Sequence, residues 1–195
     1  GALPRHCEVA ASPVVRSAIP ALAHLASVIG DVQVRHRGTI GGSVANNDPA
    51  ADYPAACLGL GATIVTDRRR LSADGFSTGL FETVLEPDEL IVAVEFPLPA
   101  AAAYRKFRHP VSRYALVGVF VARTAGGVRV AVTGAGPSVF RVTDYEARLD
   151  AAFAPASIAD RLVDETLLNA DIHASAAYRA HMIRHLAQDA VAEIS

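Results

Sequence analysis

The chain has 195 residues, of which 51% are hydrophobic and 19% are charged, and its formal net charge is −2. This composition predicts a globular protein of one large or two small domains and excludes a disordered chain. A charge so close to zero provides no electrostatic reason to bind nucleic acid or an anionic membrane. The two cysteines, Cys7 and Cys57, support neither a disulfide framework, nor a zinc site, nor an iron–sulfur cluster. The sequence shows no charged-then-apolar leader and no long apolar span, so we expect a cytoplasmic protein without a membrane span.

In the first half of the chain, the sequence predicts helices before the glycine-rich stretch and a small sheet after it. Residues 1–11 are interpreted as a strand or a connector. Ser12 and Pro13 suit a helix start, because serine caps and proline occupies the first helical position. Pro20 separates this turn from a main helix that ends at Gly30. The predicted elements are helices at about 20–29 and 54–60, strands at 62–66, 70–71 and 90–96, and short helical turns within 76–85.

The second half predicts strands followed by helices, with a domain boundary at Pro97-Leu98-Pro99. The boundary divides the chain into domains at 1–99 and 100–195. Because strands precede helices instead of alternating with them, the fold class is predicted as α+β. The predicted elements are strands at 103–108, 116–123 and 128–133, with a turn at 125–127, and helices at 143–152, 155–163 and 174–193.

The stretch from Val34 to Pro54 collects the conformationally special and polar residues of the chain. Gly38, Gly41 and Gly42 allow sharp turns and a close approach to another molecule. Consecutive amides in such a turn can converge on an anion or a ring carbonyl. The residue types alone leave a structural turn and a ligand-binding loop both open.

The string R-G-T-I-G-G-S, followed by A-N-N-D-P-A-A-D-Y-P, resembles the second flavin-contacting segment of a known family. That family is the FAD-binding medium subunits of molybdenum hydroxylases, of the carbon monoxide dehydrogenase and xanthine dehydrogenase type. The resemblance continues through Gly61-Ala62-Thr63 and Glu89-Leu90-Ile91 to Tyr104-Arg105-Lys106-Phe107-Arg108, and covers nearly the whole chain. It implies part of a PCMH-type FAD-binding domain over 1–99. For 100–195 it implies a carbon monoxide dehydrogenase flavoprotein-like C-terminal domain with a three-stranded antiparallel sheet and a helical bundle.

The sequence departs from the family at its beginning. Family members begin with one more small subdomain, which carries a separate glycine-rich loop for the FAD pyrophosphate. We find no such loop here, so the chain is interpreted as the family without its first FAD segment, either a fragment or one piece of a divided subunit.

The resemblance implies a set of cofactor-binding positions and no catalytic acid, base or nucleophile. The Thr39 hydroxyl and neighbouring backbone amides would contact the flavin, and Asp52 would form a hydrogen bond to the cofactor. Ile91 would pack near the ring system, and Arg108 would place a cation beside it that favours the reduced, anionic flavin. For the last three positions, a helix-terminal carboxylate, a strand core residue and a surface charge at the sheet edge remain open. The implied positions are Thr39, Ile40, Gly41, Gly42, Ser43, Asp52, Ile91 and Arg108.

The implied function is electron transfer within an oxidoreductase complex. Substrate would be oxidised at molybdopterin on a large partner subunit, and electrons would cross two 2Fe-2S clusters on a small partner to FAD on this chain. An external acceptor would then take them, and the complex is expected to be a dimer of heterotrimers. A different hypothesis is a truncated assembly or interaction module that does not retain FAD.

Two weaker patterns point elsewhere. His181 and His185 have the spacing of metal ligands on a helix, but the intervening residues lack a zinc-protease glutamate and a third ligand is missing, so no metal site is predicted. An unrelated nucleotide-binding enzyme could use the glycine-rich stretch for a phosphate. The long A-N-N-D-P-A-A-D match argues against that alternative.

Overall fold

The computed structural model describes all residues from 1 to 195 and contains eight α-helices and nine strands. The strands form three separate sheets, in which all pairs run antiparallel. Helices that pack on antiparallel sheets confirm the predicted α+β class. The helices are α1 His6–Ala11, α2 Pro13–Ala18, α3 Pro20–Ser27, α4 Val32–Arg37, α5 Ile40–Asn46, α6 Tyr53–Leu60, α7 Thr143–Ala151 and α8 Ala176–Glu193. The strands are β1 Thr63–Thr66, β2 Arg70–Ser72, β3 Ser77–Gly79, β4 Glu82–Thr83, β5 Ile91–Glu95, β6 Ala101–Arg108, β7 Ala115–Thr124, β8 Gly127–Thr133 and β9 Phe140–Arg141.

The sheet pairings follow the order of the chain closely. β1 is the central strand between β2 and β5, and β3 pairs with β4 in a small hairpin. The largest sheet has the order β6-β7-β8-β9. The predicted three-stranded sheet in the second half therefore carries a short fourth strand, whose Phe140 pairs with Val132.

Three helices of the first half begin at residues that favour a helix start, and one of them, α4, was not predicted. The Ser12 hydroxyl accepts a hydrogen bond from Val15 N at 3.4 Å, and Pro20 begins α3 as predicted. Asp31 caps α4 by accepting from Val34 N at 2.9 Å. These side chains satisfy amide groups that a helix leaves without partners in its first turn.

Two predictions in the first half are wrong. Residues 6–11 form α1 instead of a strand or connector, and Glu8 closes its first turn by accepting from Arg5 N at 2.6 Å. Residues 77–83 form the β3–β4 hairpin instead of helical turns. The Asn47 side chain holds this hairpin, because its amide donates to Gly79 O at 3.1 Å and Glu82 O at 2.7 Å.

One predicted helix of the second half is also wrong. The segment 155–163 contains only a single 3-10 turn, Pro155–Ile158, and another such turn spans Glu165–Leu167. Ile158 in the turn and Val163 after it are both buried, so two apolar side chains anchor this segment without a helical stripe. The two α-helices of this half, α7 and α8, pack on the large sheet.

The large sheet lies between two hydrophobic cores. Phe120 and Ala122 of β7 belong to the core shared with the first half of the chain, whereas Val119 and Val121 belong to the core under α7 and α8. Adjacent side chains of a strand point to opposite faces, so β7 is buried on both sides. The predicted boundary near residue 99 therefore lies between two stretches of sequence that both contribute to the first of these cores.

Helix α6 fills the space between the large sheet and the rest of the first half, and all of its residues are buried. The absence of a side chain at Gly59 allows this contact, because a Cβ there would lie 2.8 Å from Cδ1 of Phe120. Asp52, immediately before α6, is therefore held against the sheet. None of the helices combines the length and apolar character that a bilayer crossing requires.

Glu89 joins the β1–β2 turn to the segment that precedes β5. Its fully buried carboxylate accepts from Arg69 Nε at 2.9 Å, from the Thr66 hydroxyl at 2.8 Å and from Glu86 N at 2.9 Å. The Arg69 hydrogen bonds contribute most to lowering the pKa of Glu89 to about 2, from an ordinary value of 4.5. Stability from this group is therefore present above pH 4.5 and is lost as the pH falls towards about 2.

We expect Glu89→Gln to lower the melting temperature at neutral pH and to flatten its decline between pH 4.5 and about 2. Thermal unfolding followed by circular dichroism across this range measures both effects. Glu86→Gln is the matched control, because the Glu86 carboxylate is mostly exposed and lies 3.4 Å from Arg68. An equal acid dependence in Glu89→Gln and the unaltered chain would contradict the assignment.

Candidate functional site

A cavity of about 390 Å³ lies beside the N-terminal end of α5. This volume is within the range of small-molecule and cofactor sites, roughly 300–1,000 Å³. Residues from α1, α4, α5, the segment before α6 and the β6–β7 loop contribute to its walls. The lining residues are His6, Ile29, Val34, Arg37, Gly38, Thr39, Gly42, Ser43, Asn46, Asp48, Ala51, Asp52 and Tyr114.

The structure brings four of the eight predicted site residues together at this cavity. Thr39, Gly42, Ser43 and Asp52 line it. The other four positions lie outside the lining. Ile40 and Gly41 are buried on the opposite side of α5, Ile91 is half-buried in β5, and Arg108 is exposed at the end of β6.

The glycine-rich stretch is helical where a loop is predicted, and this changes which of its groups are free. Thr39 caps α5, and all four amides that follow it already have partners within the chain. The side-chain hydroxyls of Thr39 and Ser43, and not these four amides, are thus polar groups that the start of α5 offers to the cavity. The amide bonds are Ile40 N to Pro4 O at 3.1 Å, Gly41 N to Ala2 O at 2.8 Å, Gly42 N to Thr39 Oγ1 at 3.1 Å and Ser43 N to Thr39 O at 3.0 Å.

His6 is a cavity residue that the sequence analysis misses. Its side chain is 4% exposed, and its Nδ1 atom has no hydrogen-bond partner. Burial, assisted by the charge of Arg35, lowers the pKa of His6, so the ring is neutral at neutral pH and carries one donor and one acceptor nitrogen. Gly38 leaves room for the ring, since a Cβ at that position would overlap Nε2 of His6.

No local pattern marks His6, because it reaches the cavity through long-range backbone contacts. His6 N donates to Gly38 O at 3.0 Å, and Arg5 forms an isolated antiparallel bridge with Thr39. The pairing of the chain start with the glycine-rich stretch is what places the ring at the cavity wall.

Asp52 is held by two side chains of β6. Its Oδ1 atom accepts from the Tyr104 hydroxyl, and its Oδ2 atom lies 2.9 Å from Nζ of Lys106, which also donates to Val28 O at 3.1 Å. The side chains of Asp52 and Lys106 are 1% and 3% exposed. Asp52 forms no capping hydrogen bond in α6, so its carboxylate is committed to β6 and the cavity wall.

Burial raises the pKa of Asp52 and lowers the pKa of Lys106, while each partner opposes the shift of the other. Two donors converge on the carboxylate, as suits an ionised group that can only accept hydrogen bonds. Lys106 and Tyr104 lie within the Tyr104–Arg108 string, of which only Arg108 is a sequence-predicted site residue. Alternation along β6 is the pattern that would have pointed to them.

The structure holds no cluster of three or more histidine, cysteine, aspartate or glutamate side chains that could bind a metal. His181 and His185 are both exposed on α8.

Comparison with known proteins identifies the family. Residues 1–99 match the family described as FAD binding domain in molybdopterin dehydrogenase. The carbon monoxide dehydrogenase medium chain of Hydrogenophaga pseudoflava is 34% identical over an alignment of 161 residues, which covers 76% of this chain and 56% of that one. The nicotine 6-hydroxylase medium subunit of Paenarthrobacter nicotinovorans is 30% identical over an alignment of 207 positions, which covers 99% of this chain and 73% of that one.

A solved structure agrees with these matches. A chain of carbon monoxide dehydrogenase from Hydrogenophaga pseudoflava superimposes with a TM-score of 0.85 at 30% identity, and the match covers 100% of this chain and 75% of that one. The fold is thus that of a flavoprotein component of molybdenum-containing dehydrogenases. The chain belongs to the family of FAD-binding domains of molybdopterin dehydrogenases, which confirms the predicted family and its cofactor, FAD. It spans 56% of the length of the carbon monoxide dehydrogenase medium chain.

Gly41 and Gly42 are adjacent but have opposite surroundings. A Cβ at Gly41 would lie 2.9 Å from the backbone oxygen of Ala2, whereas a Cβ at Gly42 would meet only the Thr39 hydroxyl, at 3.0 Å. The sequence suggests that Gly41→Val would affect flavin affinity with little change in fold. The structure indicates that a side chain at Gly41 disturbs the fold itself.

We expect Gly41→Ala to destabilise the protein by about 1–3 kcal/mol, the usual cost of overpacking. Gly42→Ala is the matched variant and should lower the melting temperature less, because its Cβ would meet only the Thr39 hydroxyl and alanine favours a helix over glycine by about 1 kcal/mol. Thermal unfolding without added cofactor measures both. Equal melting temperatures for the two variants would contradict the packing described for Gly41.

Proposed function

We propose that this chain is the FAD-binding part of an electron-transfer subunit in a molybdenum-containing dehydrogenase. The observation that supports this most directly is the cavity beside α5. It combines the Thr39 and Ser43 hydroxyls, the Asp52 carboxylate and the buried His6 ring, whose Nδ1 has no partner, within the segment that matches the FAD-binding family. A buried polar atom without a partner suits a site that a polar ligand completes.

The residues of this chain would bind and orient the cofactor and supply no acid, base or nucleophile. Thr39 and Ser43 would donate hydrogen bonds, and Asp52 would accept them from hydroxyl or ring N–H groups. Bound FAD would accept electrons and pass them on. Ile40 and Gly41 would support the cavity from behind, and Gly42 would allow close approach.

We retain Ile91 and Arg108 as proposed cofactor contacts of a more peripheral kind. Ile91 packs against the core that carries α5, and Arg108 lies close enough for its charge to act on Asp52. Arg108 would thus add positive charge near the cavity. Its exposed position makes that contribution more sensitive to salt than a buried charge would be.

The names of the relatives describe medium chains or subunits, which supports an assembly of several subunits. We propose a large partner subunit that carries molybdopterin and a small partner that carries 2Fe-2S clusters. Electrons would pass from these clusters through FAD to an external acceptor, in a dimer of heterotrimers in the cytoplasm. Co-purification of this chain with both partners, with reduction of its flavin by the substrate of the large subunit, would support this assembly.

Ser43→Ala tests the cofactor site with little disturbance of the fold. Ser43 lines the cavity in α5 and its hydroxyl has no hydrogen-bond partner in the chain, so its removal should not lower the melting temperature. We expect the Kd for FAD to rise about three- to tenfold, as for loss of one hydrogen bond of about 1 kcal/mol. Titration of FAD, followed by the quenching of its fluorescence, measures this change.

Ser17→Ala is the control, because Ser17 is exposed on α2 and does not line the cavity. It should leave the Kd unchanged. Equal Kd values for Ser43→Ala and the unaltered chain would contradict the assignment of this wall. An unaltered protein that takes up no FAD, alone or with its partner subunits, would overturn the proposed function and favour the assembly module.

A further inference from the structure

Behind the wall of the proposed FAD site, Asp52 is paired with a buried cation that is not among the positions predicted from the sequence. Lys106 Nζ lies 2.9 Å from Asp52 and 3.1 Å from Val28 O, and its side chain is 3% exposed. We propose that Lys106, with Tyr104, is a positioning residue that holds the Asp52 carboxylate ionised and oriented for the cofactor. This inference rests on the proposed function and concerns residues outside the segment that matches the family, which ends at residue 99.

The geometry of β6 explains why these two side chains act together. Tyr104 and Lys106 lie on the same face of the strand, two residues apart, and each one contacts a different oxygen of Asp52. The carboxylate therefore cannot rotate without losing a bond. Each oxygen retains lone-pair capacity for one further donor, because an ionised carboxylate has about four acceptor sites.

A glycine on the neighbouring strand makes room for this arrangement. Gly118 of β7 lies opposite Lys106 in the register of the sheet, and a Cβ there would overlap the Tyr104 hydroxyl. Any larger residue at this position would push the hydroxyl away from Asp52. The start of α6, strand β6 and strand β7 are thus all arranged to place the Asp52 carboxylate.

The charges around the pair are asymmetric. The charges of Arg108 and Arg35 act on Lys106, and that of Arg108 also acts on Asp52. Next to Asp52 in the chain, Tyr53 is fully buried and its hydroxyl has no partner. Lys106 is therefore the only charged side chain among these groups that contacts the Asp52 carboxylate directly. Arg108 acts on Asp52 from an exposed position.

Removal of Lys106 would leave Asp52 buried without its cation. Burial already raises the pKa of Asp52, and Lys106 is the largest influence that opposes this rise. Without it the pKa of the Asp52 carboxyl would rise further, and the protonated form has less capacity to accept hydrogen bonds from the cofactor. FAD affinity would then depend on pH, which a purely structural role for Lys106 would not produce.

The test measures the Kd for FAD between about pH 6 and pH 9, where an ordinary carboxyl group does not titrate. In Lys106→Met we expect binding about tenfold weaker at the acidic end than at the alkaline end, as one lost charged hydrogen bond predicts. The unaltered chain should show no such dependence. Arg105→Met is the matched control, because Arg105 belongs to the same strand but pairs with Glu193 at 3.0 Å.

A double variant shows whether Lys106 affects FAD binding through Asp52 or independently of it. Asp52→Asn should bind FAD weakly and equally at every pH, and Asp52→Asn with Lys106→Met should have the same Kd as Asp52→Asn alone. A further loss in the double variant would overturn the positioning role. A Lys106→Met protein that binds as the unaltered chain does at every pH would also overturn it.

Should Lys106→Met fail to fold, Tyr104→Phe provides the same test. It retains the ion pair and removes one donor to Asp52, so the pH dependence should appear in the same direction and be smaller. A flat profile in this variant would overturn the inference. An unaltered chain that binds no FAD would instead overturn the proposed function, so the two failures are distinguishable.

Discussion

Asp52 and Lys106 are 54 positions apart in the chain and meet at 2.9 Å where water is nearly excluded. Two buried charges are costly to desolvate, and removing one partner of such a pair typically costs about 3–5 kcal/mol. The pair is thus a weak source of net stability but a strong constraint on geometry. It ties the start of α6 to β6, and the wall of the cavity depends on both.

The large sheet extends this constraint to the rest of the molecule. β7 is buried on both faces, with α6 on one side and α8 on the other, so neither half of the chain has a complete core without the sheet. The segment that matches the FAD-binding family ends at residue 99, yet Tyr114 lines the cavity and Lys106 holds Asp52 in its wall. The site is therefore a product of both halves.

The cavity itself combines groups with different electrostatic roles. The neutral His6 ring offers a donor and an acceptor, the Asp52 carboxylate only accepts, and the hydroxyls of Thr39 and Ser43 can do either. The amides of α5 bond within the chain and so hold the cavity in shape. A preformed wall of this kind orients a ligand without a large cost in conformational entropy.

The sequence by itself determined those helices, strands and site residues that depend on residues close to one another in the chain. Ser12 marks a helix start by capping and Pro20 by its fixed backbone angle, and the β-branched run of β5 predicts its strand. Thr39, Ser43 and Asp52 were predicted because they belong to one contiguous motif.

Tertiary structure alone decided those elements and site residues that depend on contacts between distant parts of the chain. Glycines at positions 41 and 42 disfavour a helix, but the Thr39 cap and the burial of Ile40 and Val44 stabilise α5. The β3–β4 hairpin forms because Asn47 binds it from another part of the chain. His6 reaches the cavity by backbone pairing over a long sequence separation, for which no local periodicity exists. Lys106 lies on the face of β6 that alternation indicates, but its contact with Asp52, 54 positions away, is a tertiary one.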